Sequence, residues 1–338
     1  MRKSLYFLIA AALLVSACAK NTQDSANASA KAYFDAWIKV NYPDLKPTPL
    51  GAYVIEETEG DGALVGDSEQ SKYIRVDVTS TDLKGNISNT TRASVAQQLG
   101  NYVETNYYGP VMWMREGDAL YAGVDEAVST MRVGGRKKTI IPGWLFSQQR
   151  YDNAQSYIDN VTGTDAIYDI EVVEVIDDPV KWELDSISAY LSNNYPSVSI
   201  TDSLKYGFYY IQEKEPSDTA SFVNDTTIYI NYIGRLLNGQ VFDTNIKDTA
   251  KFYGIYNASS KYEPSSIKYK KEEYTEITMG SSESSLIDGF SYALWKMKSF
   301  EKGTCIFYSK LGYGTSSSGN SIPSYSPLRF DIEIVKQP

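Results

Sequence analysis

The 338-residue chain contains no histidine and only two cysteines, Cys18 and Cys305. Serine–histidine triads, histidine general bases and Cys/His zinc sites are thereby excluded. Cys305 sits in Gly-Thr-Cys-Ile-Phe-Tyr, an apolar strand-like run, and is expected to be a small buried hydrophobe. A formal charge of −10 argues against a nucleic-acid partner or a polybasic lipid-binding patch. The side chains left for chemistry are aromatic and acidic, with 28 tyrosines dominating the aromatics. One stretch joins the two types. Residues 228–243 read IYINYIGRLLNGQVFD: an alternating strand, a glycine turn, then a second strand that ends on Phe242 beside Asp243.

That segment, followed by Leu286–Met297 and Leu311–Ile334, resembles the FKBP-type peptidyl-prolyl cis-trans isomerases in content and in order. The resemblance implies a pocket whose aromatics are Tyr232, Phe242, Phe290, Tyr313 and Phe330. Leu286, Ile287 and Ile322 would line it, and Asp243 would be the acid at its rim. Tyr232, Phe242, Asp243, Ile287 and Tyr313 are implied to act on the bond, Ile287 through its backbone N–H and Tyr313 through its hydroxyl. Leu286, Phe290, Ile322 and Phe330 are implied to hold the substrate, and no metal or cofactor is implied.

The implied chemistry suits a chain without histidine. Turning an Xaa–Pro bond forms no covalent intermediate; it must overcome a resonance barrier of about 18–20 kcal/mol. A dry aromatic bowl that grips the proline ring, with a few fixed polar groups favouring the twisted amide, is sufficient in kind. Lowering the barrier by about 5 kcal/mol accelerates the step several-thousand-fold. The sequence also departs from the family pattern. The connection after Asp243 runs long, to about Glu273, and is expected to roof the site or recruit a partner. Phe290 stands where many members carry tryptophan, and residues 314–321 are serine-rich.

The elements that must hold these residues are written twice. Ala30–Tyr42 and Trp182–Tyr195 each carry apolar residues at helical spacing and are each closed by a proline, Pro43 and Pro196. Each helix precedes a glycine-led strand, at Gly51 and Gly207. Gly85 corresponds to Gly239 (239 − 85 = 154), Gly123–Met131 to Gly289–Met297 (297 − 131 = 166) and Tyr168 to Phe330 (330 − 168 = 162). Order is kept while the offset drifts, as in a duplication with unequal loops. The expected fold is α+β: two tandem FKBP-like domains, each a curved antiparallel sheet wrapped over a short helix, each preceded by an extra helix. In the second repeat strands are expected at Thr226–Gly234, Glu273–Met279, Thr304–Ser309 and Leu328–Val335, around a helix over Leu286–Lys298.

The first repeat keeps the elements and loses the pocket. Val78 stands for Tyr232, Ser88 and Asn89 for Phe242 and Asp243, and Val124 for Phe290; only Tyr168 survives. Catalysis is therefore expected in the second repeat alone, with the first holding or positioning clients. The competing expectation is a non-catalytic FKBP-like binding or chaperone module, in which the long connection after Asp243 would fill the bowl.

The ends give an address. Arg2 and Lys3, a short apolar run from Leu5 to Val15, and Val15-Ser16-Ala17-Cys18 read as a signal peptide (residues 1–17) closing on a bacterial lipobox. Cys18 is the expected lipidation site, and residues 18–29 the tether. The domains are then expected at 30–178 and 179–338, divided at Asp177-Asp178-Pro179. The expected partners are proline-containing polypeptides, a membrane reached through the lipid anchor and another envelope protein. The expected location is the outer membrane, facing the periplasm.

Overall fold

The computed structural model describes residues 27–66, 71–197 and 205–338. The expected signal segment, Cys18 and most of the expected tether lie outside the described residues.

Strand burial follows the period of two that the sequence carries. In β2, Ile74, Val76 and Val78 face the core while Tyr73, Arg75 and Asp77 are half-exposed. The first sheet comprises β1 (Tyr53–Thr58), β2 (Tyr73–Thr81), β3 (Ile87–Thr90), β4 (Val111–Met114), β5 (Arg136–Ile141) and β6 (Ala166–Ile176). Its spatial order is β1-β5-β6-β2-β3, with β4 also on β2. The second sheet comprises β7 (Phe208–Lys214), β8 (Thr227–Leu236), β9 (Val241–Thr244), β10 (Ser265–Lys268), β11 (Thr278–Met279), β12 (Ser284–Ser285), β13 (Lys302–Phe307) and β14 (Leu328–Val335). Its order is β7-β13-β14-β8-β10-β11-β12, with β9 also on β8.

Strand for strand, the second order repeats the first. β7, β13, β14, β8 and β9 take the places of β1, β5, β6, β2 and β3. The register repeats too: Val78 pairs with Ile170 and Tyr232 with Ile332, which reproduces the offsets 154 (232 − 78) and 162 (332 − 170). The chain therefore holds two α+β domains of one fold, each an antiparallel sheet over a helix.

Each domain opens on a helix, α1 (Ala28–Asn41) in the first and α5 (Pro179–Asn194) in the second; α2, α3 and α4 lie between them at Ala93–Gln98, Ala122–Ser129 and Ala154–Asn160. Phe34 and Ile38 of α1 enter the first core; Ile187 and Leu191 of α5 enter the second. The hinge sequence starts α5 directly. The Asp178 carboxylate accepts from the Val180 and Lys181 N–H groups, and Pro179 takes the first turn, where its missing N–H costs nothing. The helices under the sheets, α3 and α7 (Asp288–Lys296), both need a glycine at the closest approach. A Cβ on Gly123 would lie 2.5 Å from Ile141, and one on Gly289 would lie 2.5 Å from the Phe307 ring.

Three expectations change. The connection after Asp243 is not a bare loop: it contains α6 (Lys247–Phe252) and β10. Both have counterparts in the first domain, α2 and β4, with α2 again offset by 154 (247 − 93). The expected strand at Glu273–Met279 begins instead as a 3₁₀ turn, Tyr274–Glu276, held by the Glu273 carboxylate accepting from Thr275 N–H. Only Thr278–Met279 is strand, because the cap diverts the preceding residues from the ladder. The helix expected over Leu286–Lys298 starts two residues later, which leaves Leu286 and Ile287 extended at its mouth.

The domains touch. Trp182 of α5 lies under the Arg75 guanidinium at 4.9 Å and donates its indole N–H to Glu174 at 3.1 Å. Tyr73 meets Tyr325 edge-on at 5.6 Å, and the Tyr107 N–H donates to the Asn320 carbonyl at 2.7 Å.

Candidate functional site

A bowl of about 320 Å³ opens on the second sheet where β8, β9 and β14 pass the mouth of α7. Every residue that the sequence reading put in the pocket lines it: Tyr232 from β8, Phe242 and Asp243 from β9, Leu286, Ile287 and Phe290 from the entry to α7, Phe330 from β14, and Tyr313 and Ile322 from the loop between β13 and β14. Met279 and three serines complete the wall.

Ring contacts fix the shape. Phe330 is the hub, stacked on Phe307 at 5.9 Å, tilted against Phe290 at 4.8 Å and met edge-on by Phe242 at 5.6 Å. Tyr232 closes the set edge-on to Phe290 at 5.6 Å. Edge-to-face contacts of this kind each contribute about 0.5–1.5 kcal/mol beyond area burial, so the walls are stiff. Gly234 allows the closest of these approaches: a Cβ there would lie 2.6 Å from the Phe242 ring and 2.9 Å from Phe330.

The polar side chains of the bowl are Tyr232, Asp243, Tyr313 and the three serines. The Tyr232 hydroxyl donates to Asp243 Oδ2 at 2.8 Å. Burial, and then the neighbouring carboxylate, push the Tyr232 phenol well above its ordinary pKa, so it remains a protonated donor. Burial likewise raises the Asp243 carboxyl, while the bonds from Tyr232 and from the Thr244 N–H pull the other way. Ile287 stands extended just before α7, and its carbonyl accepts from the Phe290 and Ser291 N–H groups. The Ile287 N–H and the Tyr313 hydroxyl have no protein hydrogen-bond partner among the described residues. The bowl therefore offers two uncommitted donors above an aromatic floor.

Asn245 was not legible as part of this site, yet it sets the strand that carries Tyr232. It is buried, with its Oδ1 accepting from the Tyr232 N–H at 2.9 Å. Its Nδ2 donates to the Ile230 carbonyl at 2.8 Å and to the Glu263 carbonyl at 3.1 Å. Thr244 adds a 2.6 Å bond from its hydroxyl to the Tyr232 carbonyl. The only sequence signal was a polar pair directly after Phe242-Asp243.

The connection after Asp243 does not roof the bowl, because none of residues 244–274 lines it. Its helix and strand carry it sideways, and Asn257, Ser260, Lys261 and Tyr262 wall an adjoining cavity that shares Tyr232, Phe242 and Asp243. Tyr274 packs on Tyr292 instead, at 5.3 Å.

Among the described residues, the equivalent place in the first domain is a cavity without the ring cluster of the bowl. Val78 is buried where Tyr232 stands, and Tyr168 is covered by Phe146 at 5.7 Å, itself edge-on to Tyr121. Ser80 occupies the position of Gly234 (234 − 80 = 154), pairing with Tyr168 and Asn89 as Gly234 pairs with Phe330 and Asp243.

The second domain is thus an antiparallel sheet over a helix that carries an aromatic bowl and a tyrosine–aspartate pair. Residues 219–335 match the family model of the FKBP-type peptidyl-prolyl cis-trans isomerases, and the second domain is a member of that family. The solved structures similar to the chain include the three FKBP domains of wheat FKBP73, at 15% identity, covering 84% of this chain and 94% of that one with a TM-score of 0.29. They also include a peptidyl-prolyl cis-trans isomerase from Pseudomonas syringae pv. tomato str. DC3000, at 20% identity, covering 47% of this chain and 96% of that one with a TM-score of 0.31. No curated protein matches the chain.

Proposed function

We propose that the second domain catalyses cis–trans isomerisation of Xaa–Pro peptide bonds, and that the chain is an envelope folding factor held by a lipid on Cys18. The observation that carries the isomerase reading is the open bowl in which Tyr232, Phe242, Phe290 and Phe330 surround two uncommitted donors. The proline ring seats against Phe290 and Phe330, out of water. The Ile287 N–H takes the carbonyl after the proline, and the Tyr313 hydroxyl steadies the chain at the lip.

Twisting the amide removes its resonance and with it the large dipole that water stabilises. A proline seated against the rings gives up that water, so the planar form loses more than the twisted one. Asp243, held by Tyr232, sets a fixed negative end beside the bond, a dipole that needs no reorganisation as the bond turns. No proton moves. The first domain, lacking the bowl, serves to position the client. The lipobox at Val15–Cys18 supports the anchor, with the domains facing the periplasm from the outer membrane.

The test is the rate of Xaa–Pro isomerisation in a proline tetrapeptide with the full chain, against Asp243→Val and Tyr313→Phe. Both variants should fold and be slower. Rates equal to that of the unsubstituted chain would remove the bowl from the mechanism.

A further inference from the structure

A second cavity, larger than the bowl at about 590 Å³, lies between the domains. One wall belongs to the first domain: all four residues of β3, backed by Val78, Trp113 and Tyr168. The opposite wall is the second domain's loop at residues 317–323, anchored by the bond from the Tyr107 N–H to the Asn320 carbonyl. The duplication explains the space. Val78 and Ser88 are small where Tyr232 and Phe242 are large, so the lost rings leave room that the partner domain closes over.

The chemistry of the walls is specific. Among the described residues, no Asp, Glu, Lys or Arg lines this cavity, in a chain where 22% of residues are charged. Its polar atoms come from serine, threonine and asparagine, and its apolar faces from tyrosine, tryptophan and aliphatic residues. An ion entering it would give up part of its water and meet no charged side chain in the lining. A neutral ligand with amide groups would lose little. Its volume falls in the ordinary range for ligand sites, roughly 300–1,000 Å³.

β3 adds direction. It ends the strand order of its sheet, with no strand on its outer side among the described residues. A chain laid along it could take ladder bonds over its four residues, about 13 Å at the usual strand rise.

We infer that this cleft binds an extended, uncharged polypeptide segment, added as a strand to β3 and covered by residues 317–323. The site is separate from the bowl and does not depend on its activity, although Ile322 lines both. A client held here lies against the loop that walls the isomerase pocket.

The probe is a fluorescein-labelled peptide of about eight residues, built from Ser, Thr, Ala, Val and Leu without proline, read by anisotropy with the full chain. Ser88 is exposed on β3, so Ser88→Trp fills the cleft without burdening the core. The unsubstituted chain should bind the peptide, Ser88→Ala should match it, and Ser88→Trp should weaken it about tenfold or more. Proline-peptide turnover should be equal in all three. The same peptide with alternate lysines should bind about tenfold or more weakly. Four results would each overturn the inference: no binding, equal binding to Ser88→Trp, equal binding of the lysine peptide, or binding of maltohexaose in place of the peptide.

Discussion

Replacing Gly234 by alanine should damage the bowl while sparing the fold. The added methyl would lie 2.6 and 2.7 Å from two ring carbons of Phe242 and 2.9 Å from one of Phe330. Carbon atoms rest at roughly 3.5–4.0 Å, so a ring must retreat by about 1 Å. Phe330 has nowhere to go, being stacked on Phe307 and tilted against Phe290, both of them buried. Phe242, half-buried at the lip, is the ring that moves, and one wall of the pocket moves with it. Overpacking of this kind costs about 1–3 kcal/mol. If that cost falls on the twisted-amide complex, kcat/KM drops roughly 5- to 150-fold. Alanine is about 0.5–1 kcal/mol better than glycine in a strand, which offsets part of the loss in global stability. The chain already carries the control: Ser80 holds the equivalent position, paired with Asn89 and Tyr168, and Ser88 stands where the Phe242 ring would need room. The assay is kcat/KM on an Xaa–Pro peptide beside urea unfolding of the same preparation. Gly234→Ala with Phe242→Ala should regain stability without regaining rate. An unchanged kcat/KM in Gly234→Ala would mean that the Phe242 wall takes no part in turnover.

Three further outcomes follow from single contacts. Tyr232→Phe removes the 2.8 Å bond to Asp243, raising that carboxyl further and lowering kcat/KM; NMR titration of Asp243 reads the first effect and the peptide assay the second. Glu183 is buried on α5 with its carboxylate accepting from the Ser309 N–H and hydroxyl, so Glu183→Ala strands both and should cost about 2–4 kcal/mol in urea unfolding. Burial raises the Glu183 carboxyl, opposed by the Ser309 bonds, so the folded chain holds that proton more tightly than the unfolded one. Its contribution to stability therefore falls as pH rises from the ordinary glutamate pKa through the raised one, and Glu183→Gln should remove that slope.

Much of this molecule was legible because its fold is repeated. The glycines at 85 and 239, the two proline-closed helices and the Asp-Ile-Glu strands gave a register that the sheets reproduce from Val76 to Thr81 and from Ile230 to Arg235, up to a bulge at Arg75 that the second sheet lacks. Bowl residues were legible because they sit at fixed places on those elements. The short polar pieces were not. Lys247–Phe252 and Ser265–Lys268 carry too few apolar residues to show a period, so an ordered helix and strand read as an insertion. Asn245 was hidden for another reason: its bonds reach residues 13 to 20 positions away, which no local pattern encodes. The cleft was hidden most deeply, because β3 and residues 317–323 meet only after both domains have folded.

The central claim is that the bowl turns Xaa–Pro bonds. It is tested most directly by NMR exchange between the cis and trans forms of a proline peptide at equilibrium, with the full chain added in substoichiometric amount. Uncatalysed, the exchange takes tens to hundreds of seconds. Exchange should accelerate in proportion to the concentration of the chain, and the acceleration should vanish when Phe330→Ala and Phe242→Ala open the bowl. Exchange no faster than the peptide alone, or acceleration that survives both substitutions, would contradict that claim.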